Sequence, residues 1–408
     1  MGSFFKFMQQ KITSNRTIIL LILGLLSAVG PFSIDMYLPA FQTIAKDFDT
    51  SVDQVQLSLT SFFIGIALGQ LIYGPLLDKY GRKKPLLIGL LIYILATILC
   101  ILTRNVEHLI AFRFLQALGS CAGMVASRAM IQDYYEPREA ARVFSLLMLV
   151  IAISPILAPS AGAFLLNHLD WHYIFVSLLL IGAVIFVATY FYLPESYPGR
   201  KDFSLRPKAI IGNFWEVFSN KTFLIYCLVG SIASSGLYAY LAGSSFVMQQ
   251  HFGLSQTQYG LAFAFVASAM IVATQINRAL LKRWTSTQIS KIANIWQSAV
   301  ALLMVICLVS DTLSFTVLLG LIFCYLLGHG FIFPNTSAMA LSPFKALAGS
   351  ASALLGCVQM GIGALTSGMV SILHNGTPYP MIIVMSAAAI LSLLIHFTSS
   401  KAISTKGY

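Results

Sequence analysis

The chain has 408 residues, of which 58% are hydrophobic and only 10% are charged, and its formal net charge is +11. Soluble domains carry about 25% charged residues, so this composition excludes a soluble globule. The hydrophobic residues form long runs separated by short polar connections, and each run approaches the ~20 residues that a helix needs to cross a bilayer. The sequence therefore predicts an all-α integral membrane protein.

Twelve transmembrane helices are predicted, six on each side of the longest polar connection. This connecting segment covers residues 194–221, between an N-terminal six-helix bundle (1–193) and a C-terminal six-helix bundle (222–408). The predicted spans are 17–40, 54–76, 85–103, 109–131, 140–166, 171–193, 222–248, 258–277, 288–310, 313–334, 347–373 and 378–398.

The positive charge is distributed as a topology signal. Of the 25 Lys and Arg residues, 21 lie in segments that share one side of the membrane with both chain ends. The positive-inside rule then predicts that both termini are cytoplasmic, and the basic charge does not imply nucleic-acid binding. The first apolar run is too long for a signal-peptide core, so we expect it to remain as an uncleaved helix. All six cysteines fall in predicted spans without metal-ligand spacing, so no metal is expected.

The first span ends in Ser-Ile-Asp-Met-Tyr-Leu-Pro-Ala-Phe, residues 33–41. Asp35 is the one acidic residue that falls well inside a predicted span, where an ionised carboxylate costs at least ~2.5–3.5 kcal/mol. Our interpretation is a carboxyl that takes up and releases a proton during transport. The alternative is a structural acid held by a basic neighbour, or one that stays hydrated near the interface.

A short turn, Gly-Pro-Leu-Leu-Asp-Lys-Tyr-Gly-Arg-Lys-Lys at residues 74–84, joins the second and third spans. Gly74 permits close helix contact, and Gly81 supports a tight turn. Asp78 and Arg82 can tie helix ends together through charged hydrogen bonds. The alternative is a basic turn that only sets topology.

The fourth span carries a polar stripe on one helical face, because its members recur at intervals of three and four residues. These residues are Arg113, Gln116, Ser120, Met124 and Ser127. Lipid offers no hydrogen-bond partners, so the stripe should face the protein interior. At a rise of ~1.5 Å per residue, Arg113 reaches a depth similar to that of Asp35. We therefore predict that the two are paired, directly or through water or another polar residue.

The fifth span contains Ser-Pro-Ile-Leu-Ala-Pro-Ser-Ala-Gly, residues 154–162. Pro155 and Pro159 remove backbone donors and are expected to bend the helix, and Gly162 allows close packing. A kinked packing helix without a role in transport direction is the alternative.

Together these segments resemble the major facilitator superfamily, and within it the bicyclomycin-resistance (Bcr/CflA) branch of the twelve-helix drug:proton antiporters. The resemblance implies that the 74–84 turn is a latch that stabilises the outward-facing state, with Asp133 at the end of the fourth span as a partner for Arg82. It also implies that Arg113 takes part in proton transfer and that the fifth span carries an antiporter motif. This sequence departs from the family patterns at Ala117 and, in the fifth span, at Ser154, Ala158 and Ala163, where the family has glycines.

The second half can be superimposed on the first with a shift of about 204 residues, as expected for a repeat-built transporter. Residues 74–80 then fall on 278–284, which keep the paired leucines but lose the acid. We infer that proton handling lies in the first half and that the second half mainly shapes the substrate cavity. His329 is interpreted as a neutral cavity residue, with a second proton site as the alternative. The predicted substrate-binding residues are Phe32, Met36, Tyr37, Phe63, Gln116, Met124, Tyr238, Tyr240, Phe265, His329, Phe331 and Gln359.

The predicted function is a proton-coupled exporter of small, largely apolar compounds in the bacterial inner membrane, working by alternating access. Two transport alternatives remain: a dedicated exporter of one metabolite or siderophore, and a proton-coupled importer. No hydrolase, metalloprotease or phosphate-binding motif is found, which argues against a membrane-embedded enzyme. The expected partners are a small-molecule substrate, protons and membrane lipid. We expect a monomer with no cofactor besides the proton gradient.

Overall fold

The computed structural model describes residues 16–200, 207–344 and 347–404, and within these ranges the chain is helical with no strand. Twelve long helices, numbered in chain order, account for most of it. They are α1 (Arg16–Asp35), α2 (Val52–Tyr80), α3 (Lys83–Leu102), α4 (Val106–Tyr134), α5 (Pro137–His168), α6 (His172–Tyr192), α7 (Lys221–Ser245), α8 (Gln256–Leu280), α9 (Ser286–Val309), α10 (Phe315–Leu341), α11 (Ala348–Ile372) and α12 (Tyr379–Ser404).

The lengths and hydropathy of these helices confirm the predicted membrane architecture. In the described part of the chain, eleven helical segments are long and apolar enough to cross a membrane. The remaining long helix, α5, has 32 residues and is also long enough to span. A shorter helix, Pro207–Ser219, lies within the predicted connection between the two groups of six.

The helices pack as two six-helix bundles that meet along two helix pairs. In the first bundle α4 packs against α2 and α3, and α1 packs against α5. In the second bundle α7 packs against α11 and α12, and α9 packs against α10. The bundles meet where α2 contacts α11 and where α5 contacts α8, so residues on these four helices can form an interface between the halves.

The two ends of the bundles differ in charge, and we name them accordingly. The basic face is the end at which α2 meets α3, α4 meets α5, and α8 meets α9. The opposite face is the end at which α1 leads to α2, α5 to α6, and α7 to α8.

The first membrane segment does not continue as one regular helix. The α1 helix ends at Asp35, a short 3-10 helix covers Leu38–Ala40, and a further α-helical turn covers Phe41–Asp47. Proline lacks a backbone donor, so Pro39 interrupts the regular helical hydrogen bonding at this point. Asp35 therefore sits where the helix breaks.

Candidate functional site

Asp35 is buried, with 5% of its surface exposed. Its carboxyl forms no hydrogen bond or ion pair with any residue that the structure describes. The segment immediately after it, Leu38–Ala40, contacts α7 and α8 of the second bundle. Asp35 also lies within electrostatic range of Tyr240 on α7 and Tyr259 on α8. The carboxyl is therefore close to the C-terminal half.

Arg113 is fully buried inside the N-terminal bundle. It donates hydrogen bonds to Gln116 Oε1 at 2.6 Å and to the Ser33 carbonyl oxygen at 2.8 Å. Its guanidinium carbon lies 4.2 Å from the ring centre of Phe62 and 4.6 Å from that of Tyr37. These are cation–π distances, which partly compensate the lost hydration of the cation. Among the described residues no carboxylate pairs with it, and its Nε has no acceptor.

The direct form of the predicted Asp35–Arg113 pair is absent from the structure. The two residues are connected instead through the backbone, because Arg113 bonds the carbonyl of Ser33, two residues before Asp35. Similar depth in the membrane did not determine which way each side chain points. Arg113 points into the first bundle, whereas Asp35 lies near the second.

Two of the predicted substrate ligands belong to the interior of the first bundle. The Gln116 amide accepts from Arg113 and donates to Thr97 Oγ1 at 2.8 Å, so both ends of the amide are engaged. The Tyr37 hydroxyl lies 2.9 Å from Ser58 Oγ, and the residue is fully buried. The prediction that Gln116 and Tyr37 line the cavity is therefore wrong for this structure.

Two others, Phe265 and Phe331, belong to the second bundle and differ in how far their positions are fixed. Phe265 is 48% exposed and stacks on Phe323 of α10, with ring centres 4.9 Å apart. Phe331 lines a surface groove together with residues of the α8–α10 region, including Trp296 and Leu327. The position of Phe331 contradicts the prediction that it faces a cavity between the halves, whereas substrate contact by Phe265 remains a prediction.

Aromatic residues from the two halves do meet at the interface. The Phe63 ring of α2 makes an edge contact with Tyr238 of α7, with ring centres 4.9 Å apart. Tyr240 stacks on Phe263, and its buried hydroxyl has no partner among the described residues. These contacts are compatible with the predicted roles of Phe63, Tyr238 and Tyr240, which stay predictions.

The other predicted cavity residues are less constrained by their contacts. Phe32, Met124 and Gln359 are half-buried, and Met36 is buried. His329 is 2% exposed, and its Nδ1 has no hydrogen-bond partner within the described part of the chain. Substrate contact by these five residues also remains a prediction.

The α5 motif packs against the break in the first membrane segment. A Cβ atom added to Gly162 would clash with the Met36 carbonyl and lie 3.1 Å from the Pro39 ring. On the other side of the helix pair, the Pro159 carbonyl approaches Gly260 of α8. The helix runs continuously through Pro155 and Pro159. Because Gly162 has no side chain, α5 packs closely against the segment that follows Asp35 while it also contacts α8 of the second bundle.

The turn between α2 and α3 holds the predicted cluster of charges. Arg82 Nε donates to Asp133 Oδ2 at 2.9 Å, and Arg82 Nη1 donates to Asp78 Oδ1 at 2.7 Å. Burial lowers the pKa of Arg82, but the hydrogen bonds to Asp133 and Asp78 outweigh burial and raise the pKa above its ordinary value. Gly81, at φ +86°, adopts a backbone conformation that favours glycine. The cluster joins α2, α3 and α4 at the basic face.

Glu195 belongs to the same cluster and was missed by the sequence analysis. It follows α6 directly and accepts hydrogen bonds from the backbone N–H groups of Arg82 at 2.8 Å and Lys83 at 3.1 Å. A carboxylate at these donors satisfies the free N–H groups at the start of α3. The neighbouring Ser196 donates to Asp133 at 2.8 Å. The available signal was a lone acid, in Pro-Glu-Ser, on the same side of the membrane as the basic turn.

Side-chain hydrogen bonds across the interface cluster away from the basic face. Among described residues, Gln42 donates to the Ser245 carbonyl at 3.3 Å, and Asn167 donates to Thr257 at 2.8 Å. The hydroxyl oxygens of Thr60 and Ser367 lie 2.8 Å apart, within hydrogen-bond distance. Toward the basic face, a Cβ added to Gly74 would meet nothing within 4 Å. The predicted close helix contact at Gly74 is therefore absent in this conformation.

The Major Facilitator Superfamily sequence profile matches residues 23–368. The chain belongs to the major facilitator superfamily. It is a multi-pass membrane transporter and not an enzyme. The match to the family profile confirms the family resemblance and the fold class predicted from the sequence.

Other members of the superfamily are similar over nearly the whole chain. An uncharacterized MFS-type transporter, YdgK, of Bacillus subtilis is 34% identical over 93% of this chain and 94% of its own length. A bicyclomycin resistance protein homolog of Haemophilus influenzae is 31% identical over 98% of this chain and its own full length. Multidrug resistance protein D of Escherichia coli is 29% identical, covering 86% of this chain and 87% of its own.

Solved structures show the same superfamily fold. A D-xylose-proton symporter superposes with a TM-score of 0.74 at 13% identity, covering 93% of this chain and 97% of that one. A bacterial homolog of the human lysosomal transporter Spinster gives a TM-score of 0.70 at 16% identity, covering 96% and 98%. At these identities the likeness concerns the fold alone.

Proposed function

We propose that this transporter exports small, largely apolar compounds in exchange for protons, from a bacterial inner membrane in which both termini are cytoplasmic. Relatives named for bicyclomycin, chloramphenicol and multidrug resistance support the drug-export part of this proposal. The distribution of Lys and Arg supports the orientation. The transporter is proposed to work as a monomer.

The observation that carries proton coupling is the position of Asp35. A buried carboxylate without a counter-cation is costly, whereas the protonated acid is accommodated far more easily in apolar surroundings. Asp35 has no such cation among the described residues, and it lies beside the part of the first membrane segment that contacts α7 and α8. Gain or loss of its proton would therefore change the energy of holding the two halves together there.

The distribution of contacts supports alternating access. Hydrogen bonds across the interface between the described residues lie away from the basic face, and Gly74 near that face is free of close contact. With the basic face in the cytoplasm, we infer an inward-open state from this arrangement. In the proposed cycle, a proton taken up by Asp35 from outside favours closure of the opposite face. Release of that proton to the cytoplasm and binding of cargo favour its reopening.

The test is drug transport in proteoliposomes under an imposed pH gradient, comparing the parent with Asp35→Asn. The asparagine amide does not take up or release a net proton at neutral pH, so we expect the variant to bind drug but to lose uphill movement of the drug. Asp311→Asn is the matched control, because Asp311 is exposed and its positive φ of 54° suits asparagine. The control should transport as the parent does.

Full gradient-driven transport by Asp35→Asn would remove Asp35 from the mechanism. A gradient that drives drug in the same direction as protons would instead identify an importer. A panel of unrelated apolar compounds separates multidrug export from the dedicated exporter, since a dedicated protein should move only one chemical class.

A further inference from the structure

A hydrophobic groove lies on the outer surface of the second bundle, next to the basic face. It has a volume of about 250 Å³ and is formed by the end of α8, the first half of α9 and the middle of α10. Trp284, Ile292, Trp296 and Phe331 form much of its wall. The indole N–H of Trp296 donates to the Cys324 carbonyl at 2.9 Å, so the polar atom of this ring is already satisfied. The groove is therefore an apolar slot on the surface of the second bundle.

A second cavity of about 290 Å³ adjoins the groove and gives it a cationic mouth. Trp284 and Ile292 line both cavities, so the two lie side by side. The remaining wall of the second cavity consists of Arg283, Gln288 and Lys291. An apolar slot thus leads to two cations at the level where the helices leave the membrane.

No acidic residue of this half is near these cations. From residue 217 to the end of the chain, Asp311 is the only acid in the sequence. Asp311 follows the end of α9, whereas Arg283 precedes its start, and the 24 residues between span ~36 Å. Lys291 lies 4.7 Å from the Phe397 ring centre, and in the described part of the chain neither Lys291 nor Arg283 forms an ion pair.

The equivalent turn of the first bundle is surrounded by acidic residues that the second bundle lacks. Residues 278–284 correspond to residues 74–80 in the internal repeat. In the first bundle, Asp78 and Asp133 pair with the Arg82 side chain, and Glu195 accepts from the Arg82 backbone N–H. In the second bundle the acids are absent, and a tryptophan-lined groove opens beside the cations. The groove and the adjoining cations together would suit an anion from outside the chain that also carries a hydrophobic portion.

We propose that this groove binds an anionic phospholipid, with its phosphate on Arg283 and Lys291 and an acyl chain along Trp284, Trp296 and Phe331. Basic residues attract anionic headgroups of the cytoplasmic leaflet, and tryptophans are enriched at that depth. A free phosphate would leave the apolar slot empty, which is why a lipid is the occupant. Only the assignment to the cytoplasmic leaflet depends on the orientation proposed above.

Tryptophan quenching by brominated-acyl phosphatidylglycerol tests the site in purified, detergent-solubilised full-length protein. Trp171 is 1% exposed, so its fluorescence should not be quenched by the lipid. A Trp215→Phe background removes the exposed tryptophan of the connection. We expect saturable quenching through Trp284 and Trp296. In that background, Arg283→Gln combined with Lys291→Gln should weaken binding about 30-fold, since each cation near an anionic lipid contributes about a factor of five.

The matched control is Arg278→Gln combined with Lys282→Gln, which removes two exposed charges from the same region outside both cavities. It should bind within twofold of the parent. In the parent itself, 1 M salt should abolish the preference for phosphatidylglycerol over brominated phosphatidylcholine, because the Debye length falls to ~3 Å. Equal quenching by the two lipids at low salt, or an equal loss in both double variants, would overturn the proposal. Competition by glycerol phosphate alone would also overturn it.

Discussion

Arg113 is a fully buried cation inside the N-terminal bundle. It has no carboxylate partner among the described residues, and its stabilisation comes from one amide oxygen, one carbonyl oxygen and two aromatic faces. Such an arrangement depends on the planar fork of the guanidinium, which can serve several acceptors while stacking on rings. The residue is therefore a geometric element as well as a charge.

Arg113→Lys should separate these two properties. The ammonium retains the charge but cannot reach both Gln116 Oε1 and the Ser33 carbonyl, so we expect a loss of about 2 kcal/mol in stability. We also expect slower gradient-driven transport, because the α1 backbone just before Asp35 loses its anchor. The measurements are thermal stability of the purified protein and proteoliposome transport. The control is Arg104→Lys, an exposed position where neither quantity should change. A variant as stable and active as the parent would contradict this geometric role.

At the scale of elements, the start of α3 is stabilised by a residue outside the helix. Glu195 accepts from the first backbone N–H groups of α3, so the chain leaving α6 is tied to the α2–α3 turn. The Tyr134 hydroxyl strengthens this tie by donating to the Pro194 carbonyl at 2.5 Å. Four helices of the first bundle are thereby linked at the basic face.

Glu195→Ala should destabilise this link. Loss of a capping side chain costs about 1 kcal/mol, and the uncapped N–H groups are partly buried here. We expect a lower unfolding temperature. We also expect reduced transport, because the backbone N–H of Arg82 loses its hydrogen bond to Glu195. Glu195→Gln retains one carbonyl acceptor and should be intermediate. Glu216→Ala, at an exposed position of the Pro207–Ser219 helix, is the control. Identical unfolding of Glu195→Ala and the control would show that the cap is dispensable.

The sequence could predict these elements better than their mutual orientation. A lone carboxylate in an apolar run is visible in one dimension, so Asp35 could be singled out. The spacing of Asp78 and Arg82 predicted their contact, and the family resemblance predicted that of Arg82 with Asp133. Depth along the membrane says nothing about rotation around the helix axis, which is why the sequence left both a direct and an indirect pairing of Asp35 with Arg113 open. For the same reason Phe331 could not be assigned to the outer surface. Its face depends on how α8 and α9 pack around α10.

At the scale of the whole molecule, the two halves form a seam that is hydrogen-bonded away from the basic face and lacks close contact at Gly74. The bonds at that seam are few and involve neutral side chains, each of which contributes only about 1 kcal/mol. A transporter that must open and close there needs contacts that can be exchanged for water at little cost. The seam is therefore suited to reversible separation.

Crosslinking across this seam tests whether it opens during transport. Asn167 and Thr257, whose side chains are hydrogen-bonded across the halves at 2.8 Å, are replaced together by cysteine and joined with a short, reducible bis-thiosulfonate reagent. The joined protein cannot open its opposite face, so we expect proteoliposome transport to stop and to return after reduction. Each single cysteine variant, treated in the same way, controls for reaction at the native thiols and should keep its activity. Undiminished transport by the joined protein would mean that this seam stays closed throughout the cycle, and alternating access by separation of the halves there would be wrong.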